Sequence, residues 1–554
     1  MLHLHTTASH GPTYFLKVLE SAAWALSSEG DLDRVEVFFH PILETNRPWI
    51  AGDRDRYWRD RRWRWALRQK VRSLGRKMRW GRGERLAPAP DSGASLFVRV
   101  MERGERVEVA TAHGSIGLQR PPGGLLGSPK DTLGTLSRAR QLWNRLQRRE
   151  GLDEEALLHL VYRDIFIGDL LTSQALRFQP EAAGDLGRVD QLPAFLFRAL
   201  AIVDRLERGW FPLRLPAAAM APEPTYLHSL YKRWFHARGA SVLELHDYEE
   251  VFRWVEPTEP LRKPYIVERN RHGRPSPEDL AWARSYLEER IDCPSRHLAY
   301  LGEGPTREGE VLRGEDGAVV TVGKTEFSAI VFLHSFTDAQ YKYGLDGFSD
   351  LYAWTITTVD HLVANSRVDR IFLKPHPSAN YQRYPGDRIA RDRLRERYAG
   401  EARLQWLDPQ CGLRPLARTG QWVALTHHGK IAEELPLLGV PVLGTVHAPW
   451  GTAYGFVRSW QKPAEYLRQL EGLSPETCSP ATPEEQRELL DFVAQYRRHE
   501  PPNPVRKTWI GWAAFVDGSA PPDTPETFAA WTDAIGQIRA TDPRLPAFLA
   551  SRQG

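Results

Sequence analysis

The chain has 554 residues, a formal net charge of +4, 42% hydrophobic and 26% charged residues, and a pI near 8.8. That length exceeds what one hydrophobic core supports and predicts two domains with appendages. No apolar run approaches the length needed to cross a bilayer, and the opening Met-Leu-His-Leu-His-Thr-Thr lacks the basic and apolar regions of a signal peptide. Cys293, Cys411 and Cys478 are odd in number and lack metal-type spacing, which excludes a disulfide framework and fits reduced thiols in a cytoplasm.

In chain order, a helix is expected over residues 13–28, leading into the strand Val35-Glu-Val-Phe-Phe-His40. Between Arg54 and Arg85 the chain turns densely basic, with Trp58, Trp63, Trp65 and Trp80 among the arginines, as an insertion of about residues 52–90. Trp63, Leu67, Val71, Leu74 and Met78 recur at helical spacing, while Arg61, Arg64, Arg68, Arg72, Arg76 and Arg79 take much of the remaining surface. Such a helix suits peripheral contact with an anionic membrane, with tryptophan at the interface. The alternative is an ordinary amphipathic helix docked on its own domain. Arginine with tryptophan also suits nucleic acid, but nothing else in the chain supports that partner. Asp53-Arg54-Asp55 has the form of an Asp-X-Asp metal signature, yet it lies in the charge run without an adjoining strand and is read as chance. Residues 97–101 and 107–110 form a hairpin pattern around Glu102-Arg-Gly-Glu105, and residues 130–235 are rich in helical pattern. Ser241-Val-Leu-Glu-Leu245 is a strand ending in His246-Asp247. Pro-rich charged sequence over 256–274 and a helix over 277–290 follow, and residues 308–322 alternate charge and glycine like an exposed hairpin. The expected boundaries are 1–320 for the first domain, 325–500 for the second, and 501–554 for closing helices, of which 525–551 can cross back onto the first domain.

In the second half, Ala329-Ile-Val-Phe-Leu-His-Ser-Phe-Thr-Asp338 is an apolar strand that ends in His334, Ser335, Thr337 and Asp338. Ile371-Phe-Leu-Lys-Pro-His-Pro377 ends in Lys374 and His376, with proline on both sides of the imidazole fixing its backbone. Val423-Ala-Leu-Thr-His-His-Gly-Lys-Ile-Ala-Glu-Glu-Leu-Pro-Leu-Leu-Gly-Val-Pro-Val-Leu-Gly444 reads as strand, polar turn, short helix and second strand. Thr426, His428 and Gly429 supply hydroxyl, imidazole and flexible backbone to the turn. A helix beginning near Lys430 would offer free N–H groups to an anion such as a diphosphate. Glu433 and Glu434, one turn in, stand where carboxylates accept hydrogen bonds from ribose hydroxyls. The plainer reading is an α/β crossover whose acids only cap a helix. Three polar strand ends on one rim of an open α/β sheet, where such sheets bind ligands, favour a nucleotide site.

The combination of Phe-Leu-Lys-Pro-His-Pro, Thr-His-His-Gly-Lys-Ile-Ala-Glu-Glu and Leu-Gly-Val-Pro-Val resembles the carboxyl-terminal domain of bacterial capsule and surface-polysaccharide glycosyltransferases, including Kdo-transferase and glycerophosphotransferase relatives with a His-Pro motif. Tyr162-Arg-Asp-Ile-Phe-Ile-Gly-Asp-Leu-Leu-Thr-Ser is similar to an Ile-Gly-Asp-Leu-Ile-Tyr-Asp segment in the amino-terminal half of those enzymes, although Thr172-Ser173 replace Tyr-Asp. The resemblance implies an α/β fold of the GT-B type, with two Rossmann-like doubly wound domains facing a cleft and helical insertions in the N-terminal half. It implies transfer of a sugar from a CMP-, CDP- or UDP-linked donor, without a metal or other cofactor, to a polysaccharide or glycolipid acceptor. Glu434 would bind the ribose, with Glu433 as second choice, and His376 the phosphate. Lys374, His428 and the amides near Gly429 would meet charge growing on the leaving phosphate, with His334, Ser335, Thr337 and Thr426 as further polar groups. The general base would come from the first domain, and Asp169, Asp247 and His10 are its candidates. Asp169 and Asp247 also have purely structural readings, as a helix cap and a strand closure. The Glu-Glu-Leu-Pro-Leu-Leu-Gly-Val-Pro-Val run is also similar to the nucleotide-binding turn of UDP-N-acetylglucosamine 2-epimerases, which keeps an epimerase as the alternative enzyme. A non-catalytic carbohydrate-binding or scaffold relative is the alternative outside enzymes.

Overall fold

The computed structural model describes residues 2–7, 34–40, 106–111, 114–119, 129–148, 151–179, 183–208, 217–221, 226–227, 229–246, 251–256, 258, 261, 266–270, 273–292, 311–337, 340–376 and 385–498. The helix expected over 13–28, the basic segment over 52–90, the hairpin arm at 97–101 and the closing helices over 525–551 lie outside the described residues, as do His10 and Asp247. The described residues divide into two compact units, one within Met1–Gln174 and Asp190–Leu261, the other comprising Ala175–Val189 and Arg262–Glu500.

The first unit contains β1 (Leu2–Thr7), β2 (Arg34–His40), β3 (Val107–Thr111), β4 (Gly114–Gln119), α1 (Pro129–Leu146), α2 (Gly168–Phe178, which runs into the second unit), α3 (Leu192–Glu207), β5 (Ala217–Ala221), α4 (Ser229–Ala237), β6 (Ser241–His246) and β7 (Val251–Val255). Its sheet has the order β7-β6-β5-β1-β2-β4-β3. Neighbours are parallel from β6 through β4, while β7 and β3 run antiparallel at the two edges. After Val107 the chain forms an antiparallel hairpin, with β4 as the partner of β3. Val35 and Val37 are fully buried, as alternation on a covered strand requires. Nearly every residue of α3 from Leu192 to Leu206 is buried, so this helix is apolar all round rather than striped.

The second unit contains α5 (Pro277–Asp292), β8 (Phe327–Phe332), α6 (Leu351–Ala364), β9 (Arg370–Lys374), α7 (Pro385–Arg397), β10 (Leu404–Trp406), β11 (Gln421–Leu425), β12 (Val442–Thr445), β13 (Arg458–Trp460), α8 (Pro463–Glu471) and α9 (Pro483–Val493). The six strands of its larger sheet are all parallel, in the order β10-β9-β8-β11-β12-β13. Every residue of β8 is buried, and apart from Ser328 its run is apolar, as a strand covered on both faces demands. Asp350 caps α6 by accepting from Ala353 N at 2.7 Å, and Thr482 with Glu485 forms a reciprocal capping box on α9. This compact unit includes α5, which packs on α9 after the last strand.

Counted along the chain, the strands of this second sheet lie in the order 3-2-1-4-5-6. The winding reverses between β8 and β11, and in such sheets the crevice outside the carboxyl ends of those two strands is where ligands bind. The five parallel strands of the first sheet repeat the pattern as 3-2-1-4-5, reversing between β1 and β5. Both units are thus Rossmann-like, doubly wound α/β folds. Among the described residues no helix is long and apolar enough to cross a membrane.

Candidate functional site

The site is built at the reversal in the second sheet. β8 ends at Phe332, and the chain continues through Leu333, whose N–H donates to Lys374 O at 2.9 Å, to His334. β11 ends at Leu425, and Thr426 N donates to Leu443 O at 3.1 Å while Thr445 N donates to His427 O at 2.9 Å. The loop bearing Thr426, His427 and His428 is therefore stitched to β12 by main-chain bonds, so its side chains have fixed origins.

Those side chains converge. The N–H of His427 donates to His334 Nε2 at 3.1 Å, and Thr426 Oγ1 lies 3.1 Å from the same nitrogen. Thr426 Oγ1 itself accepts from Gly429 N at 3.1 Å, which leaves its hydroxyl proton for His334. A Cβ at Gly429 would stand 2.6 Å from Thr426 Oγ1, so only glycine fits there. His427 Nδ1 and His428 Nδ1 are 2.7 Å apart, and His427 Nε2 is bonded to Asp346. The His334 and His428 rings have centroids 4.4 Å apart, with Tyr343 4.7 Å from His428 on another side. Trp354 and Trp460 stand edge-on to His427 at 5.7 and 5.6 Å.

These partners fix the tautomers of the uncharged rings. A backbone N–H can only donate, so His334 Nε2 accepts and its proton sits on Nδ1. For a neutral His427 ring, Nε2 donates to a carboxylate oxygen of Asp346, so that His427 Nδ1 accepts and His428 Nδ1 donates. Two ring nitrogens remain: a donor at His334 Nδ1 and an acceptor at His428 Nε2, neither hydrogen-bonded among the described residues. Burial, reinforced by His427 and His376, holds the His334 imidazolium form well out of reach at neutral pH by lowering its pKa. Burial does the same to His428, helped by His334, His427 and Lys342. Burial and His427 also lower His447, against the opposing pull of Asp346. The resting cluster thus offers a donor and an acceptor nitrogen.

The other expected residues are placed as follows. His376 is partly buried beyond the end of β9 and close enough to His334 to repel its protonation. The Lys374 ammonium is buried and donates to Pro409 O at 2.6 Å and Asp408 O at 3.4 Å. Ser335 Oγ donates to Asp387 at 3.1 Å, and the same carboxylate oxygen accepts from Phe336 N at 2.8 Å. Thr337 is buried.

The expected helix at Lys430 is instead two 3-10 turns, Lys430–Glu433 and Leu435–Leu438, joined at Glu434. Pro436 has no N–H and cannot continue an α-helical ladder through this stretch, and Gly439, at φ 79°, closes it. A single tight turn carries little macrodipole, and Gly429 N is already satisfied by Thr426. The acids are engaged as well. Glu434 accepts from Arg290 at 2.8 Å, and Glu433 accepts from Arg497 at 2.8 and 3.1 Å. Burial opposes the Arg290 guanidinium, but Glu434, Tyr286 and Glu433 outweigh it and raise its pKa. In the first unit, Asp169 is buried in a two-pronged pair with Arg233, both contacts at 2.7 Å.

Sequence reading missed Asp346, Tyr343, Arg290 and Arg497. Asp346 lies between Gly344 and Gly347 in a turn with no strand before it, so nothing local marks it. Among the described residues no group of three or more His, Cys, Asp or Glu is arranged to hold a metal ion.

The two sheets and this cluster define a two-unit α/β protein with a polar imidazole site at the winding reversal of its second unit. No protein-family model matches the chain, and no curated protein matches it. Solved structures give low-level likeness. The alpha,alpha-trehalose-phosphate synthase (UDP-forming) from Burkholderia vietnamiensis is 11% identical with a TM-score of 0.29, over 92% of this chain and 98% of that one. The alpha,alpha-trehalose 6-phosphate synthase from Burkholderia multivorans is 10% identical at 0.26, over 100% and 99%. An E. coli structure described as trehalose-6-phosphate bound with UDP-2-fluoro glucose is 10% identical at 0.25, over 98% and 99%. Likeness at these TM-scores decides nothing, and the fold class rests on the two sheet orders.

Proposed function

We propose that the chain is a glycosyltransferase of GT-B architecture, whose second unit holds a nucleotide-sugar donor and whose acceptor is a surface polysaccharide or its lipid-linked precursor. The observation that carries this reading is the His334, Thr426, His427 and His428 cluster at the winding reversal between β8 and β11. A parallel sheet of this order presents a ligand to those strand ends, where the donor nitrogen matches a phosphate oxygen and the donor and acceptor together match sugar hydroxyls. His376 adds an imidazole on the adjoining strand. A ribose contact by Glu434 has to share the carboxylate with Arg290. For the acceptor base, Asp169 is held by Arg233, and His10 and Asp247 stand beside it as candidates from the sequence. The basic tryptophan-rich segment would bring the enzyme to the membrane that carries such acceptors.

Calorimetric titration of the full chain with CMP, CDP, UDP and GDP tests the reading. Selective binding of one nucleotide, lost in His376→Ala and weakened in Glu434→Ala, is the expected result. Binding of none returns the scaffold alternative. Incubation of the bound donor class without acceptor, followed by NMR, separates an epimerase, which would produce the C2 epimer.

A further inference from the structure

The proposed donor reading leaves the buried Asp346 carboxylate and the His427 ring without a task. They are nevertheless wired in series to a ring nitrogen that faces no protein partner among the described residues. Asp346 also accepts from Phe348 N at 3.3 Å, which orients the carboxylate. His427 is buried between Trp354 and Trp460, so its ring can neither turn nor be wetted. His428, by contrast, is partly exposed. The charged and titratable groups facing the series include His334, Lys342 and Tyr343 around His428, His334 and His447 around His427, His447 and Tyr466 around Asp346, and His376 beyond His334.

We infer that Asp346, His427 and His428 form a proton relay through which the site takes up one proton together with a phosphate-type anion. The step balances simply. An anion arriving at His428 adds negative charge, Nε2 of His428 binds a proton from solvent, and the cationic pair is neutralised by Asp346 at the far end. The proton between the two Nδ1 atoms can shift toward His427, bringing the positive charge against the carboxylate without moving a heavy atom. In the resting protein the neighbouring histidines and Lys342 oppose that charge, so the proton and the anion arrive as a pair. This deepens the donor-site reading and rests on it for the identity of the anion.

Two measurements on the full chain test it. In the ligand-free protein, nitrogen-15 histidine spectra at pH 7.5 are expected to show His428 as the Nδ1–H tautomer and His427 as the Nε2–H tautomer. His428 as the Nε2–H tautomer overturns the relay. Titration with UDP and with pyrophosphate in buffers of different ionisation enthalpy is expected to show uptake of about one proton per ligand. Asp346→Asn is expected to abolish that uptake and weaken both ligands about tenfold or more. Binding of UDP without uptake, or uptake unchanged in Asp346→Asn, overturns the inference and leaves the donor reading standing. Pyrophosphate binding with uptake while no nucleotide binds supports the relay and removes the donor reading. Heat from neither ligand overturns both.

Discussion

Two groups of polar side chains meet at or near the loop after β11, one of them joined by His334 from the end of β8, and they differ in what surrounds them. Glu433 and Glu434 are each closed off by an arginine, Arg497 and Arg290. His334, His427 and His428 are bonded to one another and to Asp346, leaving one donor and one acceptor nitrogen open among the described residues. Asp169 in the first unit belongs with the acids, held on both oxygens by Arg233. A carboxylate in a suggestive place is thus no guide to ligand binding until its partners are known. Each acid here faces an arginine, whereas the imidazoles keep one donor and one acceptor nitrogen open among the described residues.

The sharpest way to break this contrast is to remove an arginine. Arg290→Ala removes the guanidinium that faces the buried Glu434 carboxylate, and is expected to destabilise the second unit by about 3–5 kcal/mol in urea unfolding. Replacing both partners with methionine is expected to recover most of that loss, because a pair exchanged for apolar volume is often neutral. If Arg290→Ala unfolds like the wild type but no longer binds a nucleotide, Glu434 belongs with the ligand groups after all.

Asp169→Asn applies the same logic to the first unit. It removes the charge that Arg233 faces in a buried site, and a loss of about 2–4 kcal/mol is expected. A fall in turnover with no change in thermal midpoint would instead make Asp169 the acceptor base.

The imidazoles are expected to show themselves through pH. His334 and His428 have lowered pKa in the folded protein, so near pH 6 the unfolded chain binds more protons. Stability is then full above about pH 6.5 and falls as pH drops below it, by at most about 1.4 kcal/mol per pH unit for each group. Urea midpoints from pH 7.5 to 5 in the wild type, against His334→Gln and His428→Gln, measure the slope that each ring supplies. A flat wild-type profile would mean that the rings are solvated like ordinary surface histidines.

How much of this was legible follows from distance along the chain. β8, β9 and β11, with their polar ends, are visible because each apolar run and its terminating residues are contiguous. Hence His334, Lys374, His376, Thr426 and His428 could be named from sequence. Their partners could not. Arg290 lies 144 residues from Glu434, Asp346 81 from His427, and Arg233 64 from Asp169, and no periodicity records such meetings. The α-helix expected at Lys430 gave way to 3-10 turns because Pro436 interrupts it, a local signal that its apolar neighbours masked.

The smallest effect belongs to the joint between the two groups. Thr426→Val removes the hydroxyl shared by Gly429 N and His334 Nε2, and a loss of about 1–2 kcal/mol is expected. Because the hydroxyl also steadies the His334 ring, nucleotide affinity is expected to fall with it. An unchanged affinity would show that main-chain bonding alone holds the loop.

The bond between Arg290 and Glu434 also bears on how the protein comes to exist. It joins residues 144 positions apart, and contacts of such separation close large loops and tend to be late events in folding. Until α5 is seated, Glu434 lacks the guanidinium that faces it in the folded unit, whereas Glu433 has its own arginine in Arg497. Synthesis from the amino terminus presents Arg290 first, before either strand that flanks the imidazoles, so the emerging chain meets Glu434 with its partner already made.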